Sequence, residues 1–288
     1  MAGTKEVKNR IKSIQSTHQI TKAMEIVSTT KFNRLAVAVK RSKPYSQAVQ
    51  TVLENISTCV KSERNLLFDG RKEVDRITII LMTSDSGLCG SFNSATLKEY
   101  EKLRKQNSDK EITTIVVGKK GRDYCKKRKY TLKKTYINLS LDKIEEISQE
   151  IGEFIVTDFL DNRYDEVYIV YNVFISALVS NLKIHKLIPI DRLDKREDRE
   201  FVSKEYIFEP NAEALLNILL PKYLKVELYQ AFLDNLASEH SARKNAMKNA
   251  TENAEEIISE LTIKYNRQRQ GAITQEITEI VSGVNALN

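Results

Sequence analysis

Apolar positions in the last quarter of the chain recur at helical spacing: Ala242, Ala246, Ala250 and Ala254 stand four apart, and Ile257, Ile258 and Leu261 continue the stripe. No Gly or Pro interrupts the run between Pro221 and Gly271, which predicts one long helix needing a partner along its length. Continued past Gly271 to Leu287, such a helix runs roughly 100 Å at about 1.5 Å per residue. A second helical pattern fills residues 4–57, with Val7, Ile11 and Ile14, then Ile20, Met24 and Val27, then Leu35 and Val39. Thr4 is its expected N-cap, and Pro44 bends it or ends its first section. Each stripe is expected to cover the other in an antiparallel pair. Spacings of three and four permit left-handed coiling, although neither helix is expected to keep a strict heptad. The alanine ladder is expected to let the backbones approach closely, and Ile277, Ile280, Val281, Val284 and Leu287 form an apolar tip that awaits a receiving partner.

Between these helices the pattern changes. Short apolar runs at 77–83 and 112–117 lead into polar and glycine residues, and 166–174 and 181–190 are rich in β-branched and aromatic residues. These read as strands of a mostly parallel sheet, with helices at 93–106, 121–127 and 141–160 beside it. The fold class is therefore α/β, a Rossmann-like domain of about five strands inserted between two long terminal helices that form an antiparallel coiled coil. The expected divisions are an N-terminal helix over 1–60, the α/β domain over 74–190, a linker with a short helix over 191–220, and the C-terminal helix over 221–288. In the linker, Phe208 and Pro210 precede a helix over 212–220, and Pro221 starts the long one.

Charge adds a candidate partner surface. The net charge is +7, and residues 1–43 hold ten Lys or Arg against Glu6 and Glu25, so this arm alone exceeds the surplus. Such an arm suits nucleic acid, an anionic membrane or an acidic protein face. Few aromatic residues interleave with it, which makes a poor stacking platform for single strands. Cys59, Cys89 and Cys125 are odd in number and widely spaced, and the three His are scattered, so neither a disulfide framework nor a metal site is expected. No apolar run is long enough to span a membrane, and residues 1–10 lack the apolar segment of a secretory signal.

Three segments carry candidate chemistry. Ser84-Asp-Ser-Gly-Leu-Cys-Gly90 follows a strand and opens a helix, where backbone donors can meet phosphate. It matches neither GxGxxG nor the Walker pattern, and tight strand-to-helix packing accounts for the same glycines. A nucleotide-dependent enzyme built on this turn is the competing reading. Gly118-Lys-Lys-Gly-Arg122 offers cations after the next strand, or simply a surface turn. Arg267-Gln-Arg-Gln-Gly271 with Thr274 crowds polar donors where the long helix should continue its stripe, an arrangement suited to carboxylates and loops of a surrounding protein.

Four segments together resemble the gamma subunits of F-type ATP synthases of the bacterial type. They are Arg10–Ile14 leading into Gln19–Met24, the Ser84–Gly90 turn, Ser238–Arg243 with Met247 and Ala250–Ala254, and Arg269–Gln270 with Ile273–Ile277 and Glu279–Gly283. Their order and distances also fit, over essentially the whole chain. Departures are Ser86 in place of the turn's usual arginine, His240 and Lys244 in the second helix, and Val284 where alanine is usual. The resemblance implies a central rotor shaft turned by an ion-driven membrane c-ring inside an alpha3-beta3 hexamer, driving ATP synthesis or hydrolysis at the beta subunits. It further implies contact with the epsilon subunit, no catalytic, cofactor or metal site in this chain, no nucleic-acid partner, and a peripheral position on the cytoplasmic side of the bacterial membrane. Carried over by position, the residues meeting alpha and beta are Lys22, Met24, Arg243, Arg269, Gln270 and Thr274.

Overall fold

A computed structural model describes residues 2–59, 65–190, 209 and 211–287. Its elements are α1 (Ala2–Cys59), α2 (Leu66–Asp69), β1 (Arg76–Met82), α3 (Phe92–Gln106), β2 (Glu111–Val117), α4 (Lys119–Lys127), β3 (Leu132–Tyr136), α5 (Ile144–Leu160), β4 (Glu166–Phe174), β5 (Ser180–Ile188) and α6 (Ala212–Leu287). Contacts divide the chain into a helix-pair unit, Met1–Thr30 with Arg243–Asn288, and a sheet unit, Lys31–Ala242. Both divisions fall inside the long helices α1 and α6. Most of the expected linker, including Phe208 and Pro210, lies outside the described residues.

In the sheet unit the strand order is β3-β2-β1-β4-β5, with β4 and β5 antiparallel and the other neighbours parallel. Alternate residues of β1 serve different cores. Ile77, Ile79 and Leu81 pack with Tyr100 and Leu103 of α3 and Cys125 of α4, whereas Ile80 and Met82 share a cluster with Ile151 and Ile155 of α5 and Leu228 and Phe232 of α6. Burial on both faces is why β1 reads as a continuous apolar run. The fifth strand, β3, has the sequence Leu-Lys-Lys-Thr-Tyr and lies at the sheet edge, where lysines are tolerated and where their polarity hides a strand.

Pro44 and Pro221 sit inside helices. The helix expected over 212–220 does not end at Pro221; it is the first part of α6, and α1 likewise passes through Pro44. An interior proline costs about 3 kcal/mol. Around Pro221 the buried side chains of Leu216, Leu220, Tyr223 and Leu224 offset that cost, each contributing about 1.5–3 kcal/mol on full burial. Thr4 is not an N-cap, because α1 already begins at Ala2. Gly152 of α5 lets α6 lie close, since a Cβ there would stand 2.7 Å from Lys225 Cγ.

The tightest approach is at Gly118, where φ is +100° and a Cβ would lie 2.2 Å from the Thr83 carbonyl oxygen. Gly118→Ala is expected to cost at least about 3 kcal/mol in urea unfolding, from backbone strain together with the clash. Gly271→Ala is the control. It lies in α6 with open space around it, and there alanine should add about 0.5–1 kcal/mol.

Candidate functional surface

Within the helix-pair unit the two helices run antiparallel, because His18 Nε2 lies 2.8 Å from Glu255 Oε1 while Thr21 Oγ1 lies 2.9 Å from Thr251 Oγ1. Over 5–30 of α1 the residues withdrawn from solvent are Val7, Ile11, Ile14, His18, Thr21, Glu25 and Ser28, with Met24 and Thr29 beside them. Their steps alternate four and three without a break. The strict heptad that the hydrophobic pattern lacks is present in burial, because its central positions carry His, Thr, Glu and Ser. Ile20, Ile26 and Val27 stand off this repeat and are more than half exposed, so the expected stripe through Ile20 and Val27 is on the wrong face.

On α6 the matching seam is Met247, Thr251, Ala254, Ile258, Leu261 and Tyr265, again in steps of four and three. The alanine ladder is only partly its substance: Ala254 is buried, while Ala246 and Ala250 are half-buried. Counting residue for residue from the two hydrogen-bonded pairs brings Ala2 level with Gln270. Past Tyr265, Ala272 alone among the described side chains is withdrawn from solvent. Ile273, Ile277, Ile280 and Val281 are 48–66% exposed, forming an apolar stripe on a helix that has no second helix beside it among the described residues of this unit. Side chains from 283 onward, including Val284 and Leu287, lie outside the described residues.

The polar cluster lies level with the first turn of α1. Arg269, Gln270 and Thr274 are all exposed, with Thr274 Oγ1 donating to the Gln270 carbonyl at 2.9 Å. Lys22 is exposed and donates to Glu25 Oε2 at 3.0 Å, and Met24 is half-buried. Arg243 is buried, so this chain does not present it as it presents Arg269. The exposed apolar group Ile20, Ile26 and Val27 on α1 is the element that reading the stripes missed. Its signal is that these residues fall outside the 4-3 repeat.

The glycine-containing turn after β1 is closed by its own side chains. Asn93 Oδ1 accepts from Ser84 N–H at 3.0 Å, Asn93 Nδ2 donates to Ser84 Oγ at 2.8 Å, and Ser84 Oγ donates to the Ser86 carbonyl at 2.6 Å. At the start of α4, Lys119 N–H donates to Asp85 Oδ1 at 3.1 Å, Lys120 N–H to the Ser84 carbonyl at 3.1 Å, and Gly121 N–H to Thr83 Oγ1 at 2.8 Å. The donors a phosphate would require at this helix start are thus bound to protein acceptors. Strand order reverses between β1 and β4, where open α/β sheets form ligand crevices. Here Asn172 of β4 donates through Nδ2 to Thr96 Oγ1 at 2.9 Å and through its N–H to Asn235 Oδ1 of α6 at 3.1 Å. α6 therefore fills the crevice with partnered polar groups. Among the described residues no cluster of His, Cys, Asp and Glu could hold a metal ion, and no helix is long and apolar enough to cross a membrane.

Known proteins share this arrangement along its whole length. Residues 3–287 match the family described as ATP synthase. The ATP synthase gamma chain of Fusobacterium nucleatum is 53% identical over 287 residues, and that of Pelotomaculum thermopropionicum is 40% identical over 288 residues; in both pairs all of each chain is covered. Among solved structures, a chain of the Tetrahymena thermophila mitochondrial ATP synthase central stalk and c-ring is 27% identical with a TM-score of 0.60, covering 80% of this chain and 99% of that one. A chain of the Euglena gracilis mitochondrial ATP synthase rotor has a TM-score of 0.63 at 17% identity, a likeness of fold, covering 94% of this chain and 99% of that one. A full-length match to the family and to its gamma chains, on paired terminal helices flanking a five-stranded sheet, makes this chain a member of the ATP synthase gamma-chain family.

Proposed function

We propose that the chain is the central rotor shaft of an ATP synthase, transmitting rotation of an ion-driven c-ring to the beta subunits of an alpha3-beta3 hexamer. The observation that carries this reading is the end of α6, which continues beyond the level of Ala2 with exposed isoleucines and a polar cluster. Exposed apolar residues in a row indicate a receiving surface. In this reading Ile273, Ile277 and Ile280 sit in an apolar sleeve of the hexamer, and Arg269, Gln270 and Thr274 meet its loops. Lys22 and Met24, with Ile20, Ile26 and Val27 around them, face the beta subunits, and the surplus of cations on α1 meets their acidic surface. Arg243 acts from within the helix-pair unit. Ion pairs spread around a turning shaft bias particular angles without fixing one interface. The sheet unit carries the contacts with epsilon and the c-ring, which makes the chain peripheral to the cytoplasmic face of a bacterial membrane. The chain performs no bond chemistry and takes no cofactor; the turn at 84–93 is structural.

Co-assembly tests this reading. Purified alpha and beta subunits are expected to retain the chain through gel filtration and to hydrolyse MgATP as an assembly, while the chain alone hydrolyses none. Elution of the chain apart from alpha and beta under all nucleotide conditions would remove the rotor reading.

A further inference from the structure

The sheet unit encloses two carboxylates that the rotor reading leaves unused. Glu227 and Asp234 lie seven residues apart on one face of α6, against α1, β4 and β5. Asp234 is 7% exposed, and its hydrogen-bond donor is Gln230 Nε2 at 3.3 Å. Among the described residues it has no ion-pair partner. Glu227 accepts from Ser46 Oγ of α1 at 3.5 Å, and its other oxygen lies 3.9 Å from His185 Nε2 of β5. The remaining charged or titratable groups facing the pair are Lys43 from α1, Lys183 from β5 and Tyr171 from β4. Both lysines are exposed, so their hydration limits what they offer the carboxylates. Tyr171 is buried and its phenol is raised, first by burial and then by the two acids, so it stays neutral beside them.

The side chains that bond to this pair, though neither acid itself, line a water-accessible cleft whose wall also carries Glu145, Lys222 and Lys225. The cleft, of about 470 Å³ between α1, α5 and α6, is lined by Ser42, Ser46 and Gln230, among others. Ser42 Oγ donates to Gln230 Oε1 at 2.7 Å and Gln230 Nε2 donates on to Asp234, while Ser46 Oγ donates separately to Glu227, so each acid lies directly behind a polar side chain of the cleft wall. An ionised carboxylate held in such a place without a paired cation is costly, and adding a proton removes the cost.

We propose that Asp234, with Glu227 two turns away on the same face of α6, is a proton-binding site of the folded chain, loaded from water across the polar wall of the α1–α5–α6 cleft, and that its protonation stabilises the fold. The step adds one proton from solvent to a carboxylate oxygen, and no other bond changes. The site is independent of what the chain assembles with.

Burial raises Asp234 to about 6 and also raises Glu227, with the lysines and the neighbouring hydrogen bonds opposing. For an acid whose folded pKa lies above its unfolded value, the native state binds the proton more tightly. Stability therefore falls as pH rises through the window between the two values, from about 4 to about 6, and is level above it. Asp234→Asn in the full chain is expected to lower the unfolding equilibrium constant about hundredfold at pH 7.5, an advantage that shrinks about tenfold by pH 5. Equality of the variant and the parent at pH 7.5, or a constant gap across the range, overturns the proposal. A direct reading uses the parent chain labelled with ¹³C at aspartate carboxyls. A resonance titrating near pH 6 is expected, and none titrating above pH 5 would overturn it.

Discussion

Asp165→Ala is expected to destabilise the sheet unit by about 3–5 kcal/mol, the range for removing one partner of a buried charge cluster. Asp165 is buried ahead of β4. One of its oxygens accepts from the backbone N–H groups of Asp75 and Arg76 at 3.1 and 2.9 Å, and the other from Arg76 Nη2 at 3.0 Å, with Arg71 Nε 3.4 Å away. A methyl group there leaves the N–H groups of Asp75 and Arg76 without their side-chain acceptor and the Arg71 and Arg76 guanidinium groups without their counter-ion, although each guanidinium keeps a bond to Phe159 or Asn162. Burial by itself raises this carboxyl, but the hydrogen bonds from Arg76 and Asp75 outweigh it and hold the group below its ordinary value. The sign is thus opposite to that of Asp234: Asp165 contributes stability at neutral pH and loses it as acid protonates the native state. Urea unfolding at pH 7 and at pH 3 checks both points, with the gap between parent and variant narrowing at the lower pH, below the ordinary aspartate value. A loss below about 1 kcal/mol at pH 7 would show the cluster to be ordinary surface pairing.

Replacing Ile273, Ile277 and Ile280 together with Gln is expected to leave the free chain's unfolding within about 0.5 kcal/mol of the parent, as exposed positions generally do. The same change should reduce retention by alpha and beta subunits about thousandfold. Each isoleucine has roughly half or more of its surface still to bury, and about 1–1.5 kcal/mol apiece sums to about 4 kcal/mol. Binding of labelled chain to preassembled alpha and beta subunits measures it. Unchanged affinity would mean that the stripe meets nothing, and with it would go the principal support for the shaft reading.

The sequence made the sheet legible where burial is two-sided. β1 and β2 are continuous apolar runs because both faces are covered, and β4 follows the same logic. β3 escaped since an edge strand needs little hydrophobicity, and Pro221 misled because tertiary burial of Leu216, Leu220 and Leu224 outweighs a local helix-breaking rule. On the candidate surface, Arg269, Gln270 and Thr274 were visible as polar residues interrupting a stripe. The face of α1 was not: a reader of hydropathy follows Ile20 and Val27, while the helix buries Thr21 and Ser28. Hydrogen-bonding capacity and small size decided that seam, and neither registers as hydrophobic periodicity.

The hydroxyl-rich seam also bears on the birth of the chain. Thr21 finds Thr251 across 230 residues of sequence, so the N-terminal helix emerges long before its mate exists. At about 5–20 residues per second, that interval is roughly 10–50 s. A seam of leucines would spend it as a sticky, unpaired ridge open to misassociation with other nascent chains. A seam of His, Thr, Glu and Ser spends it hydrated, and closes when translation delivers the second strand of the pair.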